Sequence, residues 1–161
     1  MQIILPHKNI SKKVESWGEI KGAVKGIKEL MKKKDFVGKW KDAFSIHHSQ
    51  VSEDPYNFFI PHANLVKEKS FRSDVIINPV ILEASKKDLQ YCREACMSYA
   101  QEKTKKLKRY CKIRVRYQIK RWYGFQTVEE EVEKLVAQIF QHEIDHSKGI
   151  YIYDNRGSKK N

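Results

Sequence analysis

Long apolar runs are missing from this chain. None approaches the ~20 residues that a bilayer-crossing helix needs, so a membrane-spanning protein is not expected. The stretch Met1–Lys8 holds too short an apolar segment for a secretory signal. A cytoplasmic setting is therefore expected. Cysteine is scarce: three residues in 161 are too few, and odd in number, for a disulfide scaffold. Free thiols in a reducing compartment, open to metal binding or catalysis, are the expectation. With 7 glycines and 4 prolines, no linker rich in them stands out, and no internal repeat is visible. One domain over residues 1–161 is expected, large enough to fold as a monomer without staples, with residues 155–161 as a frayed tail. Acidic residues are outnumbered, 20 against 32 basic, for a net charge of +12. That sign suits a nucleic acid or ribosome surface, although solvated basic faces share the same composition.

Periodicity sketches the elements. Val14, Ile20, Val24, Ile27, Leu30 and Met31 recur at helical spacing, predicting an amphipathic helix within residues 14–34. Residues 35–54 read as loop or short elements. A strand is expected over Tyr56–Ile60, stopped by Pro61. Val75–Leu82 is β-rich but interrupted by Asn78-Pro79, which predicts two short strands around a kink. Residues 101–121 carry ten Lys and Arg. Within them Ile113, Val115, Tyr117 and Ile119 alternate with basic residues, predicting a strand with one buried and one basic face. Thr127 and Glu130 form a capping-box pattern, predicting that the last helix starts there and stops near Gly149.

That helix carries His142-Glu143-Ile144-Asp145-His146. Histidines four apart share a helix face. At ~100° per residue, His142, Glu143 and His146 fall on the side of Val132, Leu135 and Ile139, while Lys134, Gln138, Gln141 and Asp145 project away. Burying these groups unpaired is costly, and a divalent cation removes the cost. The spacing is that of a metal-binding helix with Glu143 as general base. A chance match on a solvated helix end is the bland alternative. A catalytic site needs a third ligand, and His7, His47, His48, His62, the acidic residues and the cysteines are all candidates.

Upstream, Glu94-Ala95-Cys96-Met97-Ser98 resembles the second motif of the peptide deformylase family, Glu-Gly-Cys-Leu-Ser. His142–Gly149 resembles the third, His-Glu-x-x-His followed by Leu-x-Gly, with Ser147 replacing the leucine. The basic strand between them and Ile77-Asn78-Pro79 are also similar, so the likeness runs from about residue 14 to residue 153. The first family motif, Gly-x-Gly-Leu-Ala-Ala-x-Gln, aligns with Ala43–Gln50. There only Gln50 is kept, Ile46 is a conservative change, both glycines are lost, and His47 and His48 replace two alanines.

The resemblance implies an α+β fold, with short antiparallel sheets packed around the metal-bearing helix. It implies Cys96, His142 and His146 as ligands of one divalent ion, ferrous iron by preference, with Zn2+, Ni2+ or Co2+ also suited. Glu143 would take a proton from water at the metal and pass it to the leaving amine. Gln50 and the Met97 N–H would hold the formyl oxygen. Substrate contacts would come from Ile46, Glu94 and Arg109. The implied activity is removal of the formyl group from N-formylmethionyl nascent peptides, releasing formate.

An alternative is a catalytically impaired relative that binds formylated nascent peptides, or the ribosome through the basic stretch 101–121. A metallopeptidase is disfavoured, because the 15 residues after His146 hold neither the His nor the Glu its third ligand requires. With 12 residues after Gly149, the chain looks like a trimmed, phage-type member. Cys92 and Cys111 read as small buried side chains, His62 as a surface residue, and at most one of His47 and His48 is expected to face the site.

Overall fold

The computed structural model describes residues 1–40, 43–85, 87–99 and 104–154. The expected frayed tail and part of the basic stretch lie outside these residues. Helix α1 (Trp17–Lys32) is capped by Ser16, whose backbone N–H donates to Glu19 Oε2 at 3.0 Å. Its buried stripe, Ile20, Val24, Ile27 and Leu30, is the one the spacing predicts. A short α2 (Lys34–Trp40), strand β1 (Ser45–His47) and a 3-10 turn (His48–Gln50) follow. They occupy the segment expected to hold loop or short elements.

Strand β2 (Phe58–Pro61) incorporates Pro61, which pairs with Ser45 of β1. Alternation on this strand builds two cores. Phe58 and Ile60 point to α1, and Phe59 points to the opposite face. After a short α3 (Ala63–Lys67), β3 (Ile76–Ala84) runs unbroken through Asn78-Pro79, where two strands were expected. The kink is absorbed as an irregularity in the pairing with β6 (Lys112–Arg121), between Ile77 and Val80. Asn78 takes the positive φ there, 50°. Its side chain replaces the missing ladder bonds, joining Val14 N–H and carbonyl (2.9 and 2.8 Å) and Gln118 Oε1 (2.7 Å).

Strands β4 (Leu89–Glu94) and β5 (Lys105–Tyr110) form a separate antiparallel pair. Strand β7 (Gly124–Glu133) completes the main sheet, whose order is β1-β2-β3-β6-β7. The expected helix start at Thr127 is therefore wrong. Thr127 and Glu130 lie in β7, and α4 spans Lys134–Ser147. A local capping pattern loses here to cross-strand pairing. Lys112 reaches Glu131 at 2.6 Å and Arg114 reaches Glu129 at 3.1 Å, while Val128, Glu130 and Val132 turn inward. Glu130 is held on that side by accepting from Tyr117 Oη (2.5 Å) and Arg72 Nε (2.6 Å). Lys134, at φ 52°, makes the corner from strand to helix.

Helix α4 packs on the face of the sheet opposite α1, with Ile139, Phe140 and Ile144 buried among Phe59, Phe71 and Tyr117. Gln141, expected on the outer side, is buried. It clamps β5 by accepting from Tyr110 N–H and donating to Tyr110 O, both at 2.9 Å. Leu135, expected inside, is exposed. The helix stops before Gly149, as its glycine predicts, at φ 66°. No helix among the described residues is long and apolar enough to cross a membrane.

Two substitutions test this packing. Phe140→Ala should cost about 3–5 kcal/mol in urea unfolding, because its ring meets Phe59, Phe71 and Tyr117. Gly149→Ala should cost more than about 1 kcal/mol, since a β-carbon there would stand 2.6 Å from the Lys8 carbonyl oxygen.

Candidate metal centre

Helix α4 and strand β4 bring the chemistry together. A side chain at every fourth helical position returns to one face, so His142 and His146 lie on one face of α4, their Nε2 atoms 3.0 Å apart. Just beyond β4, Cys96 places its Sγ 3.5 Å from His146 Nε2. Among the described residues, these three are the group of donors able to hold a metal ion, all within 4.8 Å of one another. A tetrahedral ion with the usual bond lengths sets its N and S donors about 3.3–3.6 Å apart. The Cys96–His146 separation lies in that range and the His142–His146 separation just below it.

The neighbours of the triad orient it. Glu94 Oε2 accepts from His142 Nδ1 at 2.9 Å, which leaves the Nε2 lone pair directed at the other donors. Arg109 grips the same carboxylate through Nε and Nη2, each at 2.8 Å, and reaches Asp145 through Nη1 at 2.5 Å. Burial alone would raise the Glu94 carboxyl, but the bonds from Arg109 and His142 bring it down to about 2. Burial holds His146 far below the ordinary imidazole value, hence neutral. Neutrality suits His146 as a ligand, and a fixed tautomer suits His142. Burial alone would lower the His142 pKa, but its bonds to Cys96 and Glu94 carry it well above the ordinary value.

Glu143 is 1% exposed. Its Oε1 accepts from Ser45 Oγ, and its Oε2 has no partner among the described residues. Burial raises its pKa, against the pull of His142 and the Ser45 bond. Gln50 is buried beside it, its Oε1 accepting from the His47 N–H at 2.9 Å and its amide donating to Cys96 Sγ at 3.6 Å. These groups open onto a pocket of about 330 Å³, whose apolar wall includes Ala43, Phe44, Met97 and Ile139.

The structure thus assembles Cys96, His142, Glu143, Gln50 and Met97 on one pocket, with His146 against Cys96 and His142. Three further expected site residues sit differently. Ile46 is core, paired with Ile60 under α1, and is not part of the pocket wall. Glu94 touches the pocket edge, yet its oxygens are committed to Arg109 and His142. Arg109, mostly buried, is committed to Glu94 and Asp145.

Sequence reasoning missed Ser45 altogether. In the aligned motif its position showed only a lost glycine. It also missed Asp145, which helical projection placed on the outer face.

The histidine pair divides as alternation predicts. His47 lies with its ring centroid 6.1 Å from that of His146, and its Nδ1 accepts from Ser49 N–H at 3.1 Å. Burial lowers it to about 3. His48 points away and stacks on Phe58 with centroids 4.9 Å apart. Cys92 is buried and Cys111 half-buried. His62 is half-buried and caps α3 through its Nδ1.

The comparisons with known proteins agree with this geometry. The family model for polypeptide deformylase matches residues 3–161. The peptide deformylase of Thermotoga neapolitana is 42% identical over 79 residues, and that of Caulobacter vibrioides 40% over 79. Each match spans 49% of this chain, and the chain covers less than half of either relative, 45% and 43%. Among solved structures, the deformylase of Thermotoga maritima superposes with a TM-score of 0.70 at 25% identity, covering 94% of this chain and 95% of that one. That of the Vibrio parahaemolyticus bacteriophage VP16T, in complex with actinonin, gives 0.73 at 24%, covering 94% and 100%. The deformylase-type α+β fold expected from the sequence is confirmed.

His48 supplies a test of the site's underlying electrostatics. Its Nδ1 accepts from Tyr56 N–H at 2.9 Å, and burial lowers its pKa to about 4. The unfolded chain titrates this imidazole near 6.5. Below that value the unfolded state binds the extra proton, so stability falls as pH drops from about 6.5 to about 4. His48→Gln keeps an acceptor but cannot titrate. Denaturation across this window should show a slope smaller by about 1.4 kcal/mol per pH unit.

Proposed function

This chain belongs to the polypeptide deformylase family, and we propose that it is a metal-dependent hydrolase that removes the formyl group from N-formylmethionyl peptides. One observation carries the reading. A Cys96–His142–His146 donor set converges beside a buried carboxylate oxygen of Glu143 that has no partner among the described residues, at a pocket lined by Cys96, His142 and Glu143.

The donor set of one thiol and two imidazoles suits ferrous iron, zinc, nickel or cobalt. We take ferrous iron as the physiological ion, on family resemblance. When bound, the ion supplies Lewis acidity at the formyl carbonyl. Cys96, His142 and His146 hold it, and Glu94 keeps the His142 proton on Nδ1. Arg109 holds Glu94 and is itself held by Asp145, so these three act as positioning residues. Ile46 seats β1 in the core.

Burial raises the Glu143 pKa, the direction that suits a group which takes up a proton and returns it. Its Oε2 receives the proton of the attacking water and delivers it to the departing methionine amine. The Gln50 amide and the Met97 backbone N–H donate to the oxyanion that develops on the formyl carbon. The apolar wall at Phe44, Met97 and Ile139 receives the methionine side chain. Formate and a free N-terminal amine leave.

A second reading has one observation in its favour. Ser45 stands where the family motif has glycine, and its hydroxyl holds one oxygen of the general base. A protein that binds formylated nascent peptides without efficient turnover would tolerate this.

Formate release from a formyl-Met tripeptide decides between them, with protein prepared anaerobically with ferrous iron and in parallel with nickel. Turnover is expected with either ion. Glu143→Gln should retain about one metal per chain while losing at least about a hundredfold in kcat. Cys96→Ser should lose metal affinity. A parent protein that binds metal and formyl peptide but releases no formate establishes the binding reading. Parental turnover in Glu143→Gln removes Glu143 as the base.

A further inference from the structure

The basic residues of this chain fall into two populations. On β6, Lys112 and Arg114 are matched to Glu131, Glu129 and Glu83 at 2.6–3.3 Å, and Arg116 lies 3.8 Å from Glu129. The β6 part of the basic stretch 101–121, expected to meet the ribosome, is therefore largely neutralised by its own sheet. The outer face of the β4–β5 pair is different. Arg93 stands directly opposite Lys106, and Tyr91 opposite Lys108. All four side chains are exposed. No carboxylate among the described residues lies within 4 Å of any of the three cations. Like charges directly opposite each other in a ladder are destabilising.

The face also carries an aromatic platform. Tyr91 is 67% exposed, with the Lys106 and Lys108 ammonium groups 4.8 and 5.9 Å from its ring centroid. Lys106 and Lys108 point the same way, about 7 Å apart along the strand. A flat exposed ring among cations that face no carboxylate suits single-stranded nucleic acid. The ring stacks a base and the cations take the flanking phosphates.

We propose that the outer face of β4–β5, formed by Tyr91, Arg93, Lys106 and Lys108, is a docking surface for single-stranded RNA. The choice of RNA over DNA rests on the proposed function, because formylated chains emerge at an RNA-rich surface. Arg93 also borders the catalytic pocket, so RNA held here lies beside the pocket mouth.

The test is fluorescence anisotropy of the full chain with a labelled oligouridylate of roughly a dozen nucleotides, at about 0.1 M salt. A duplex RNA of equal charge and a poly-glutamate peptide serve as comparison probes. The single strand should bind more tightly than either. Tyr91→Ala should weaken binding at least about fivefold, because a base can no longer stack there. The double variant K106E/K108E should weaken it further and reduce the log–log salt slope by about 0.7 for each phosphate that is no longer neutralised.

Circular dichroism and formate release, measured in parallel, should stay parental in these variants, which separates impaired docking from an impaired fold. The binding result stands whether or not the parent turns over formyl peptides. Equal affinity for single strand and duplex overturns the proposal, as does an unchanged affinity in Tyr91→Ala. Poly-glutamate binding as tightly as the oligouridylate overturns it in favour of an acidic protein partner.

Discussion

A polar turn of helix held inside an apolar core is the constraint on which the rest of this structure depends. Glu143 and His146 are fully buried on α4, with His142 half-buried beside them. Each would carry a desolvation cost if left alone. The fold answers on every side. Strand β4 brings Glu94 and, just past its end, Cys96. Strand β1 brings Ser45, and the 3-10 turn brings Gln50. The two cores on either face of the main sheet fix β1 and α4 relative to each other, so polar groups far apart in sequence meet at hydrogen-bonding range.

Charge then decides which of these groups are static and which are available. Arg109 is buried between two carboxylates, and its grip keeps Glu94 ionised well below neutrality. Glu94 in turn fixes the tautomer of His142. Glu143 has no cation of this kind, and burial pushes its pKa upward instead. Two glutamates close to the same centre therefore serve different ends. One is a permanent anion that aims an imidazole, and the other is a carboxylate able to accept and release a proton. Environment, not residue type, separates them.

Much of this was legible in the sequence. The i, i+4 histidines and the Glu-Ala-Cys segment identified the donors, because helical periodicity is local and survives folding. The stripe of α1 and the alternation of β6 were legible for the same reason. The start of α4 was not. Thr127 and Glu130 satisfy a capping pattern locally, but Glu129 and Glu131 find cations on β6 that no local window reveals. Gln141 and Asp145 were misplaced because a helical wheel treats the helix as one-sided. The β4–β5 pair covers a second side of α4. Ser45 carried no signal, since its partner lies 98 residues away.

The β4–β5 pair is clamped to α4 by Gln141 on Tyr110, Asp145 on Arg109 and His142 on Glu94. Its side chains alternate strictly: Cys92 and Glu94 face α4, while Tyr91 and Arg93 face out. A one-residue slip would exchange the two faces. The carboxylate that aims His142 would then turn to water, and an arginine would turn inward. The clamps thus make the outer face free to drift in composition while its frame cannot move. Over evolutionary time such a hairpin can change what it meets on the outside by single substitutions, but an insertion or deletion within its paired residues would dismantle the centre it shields.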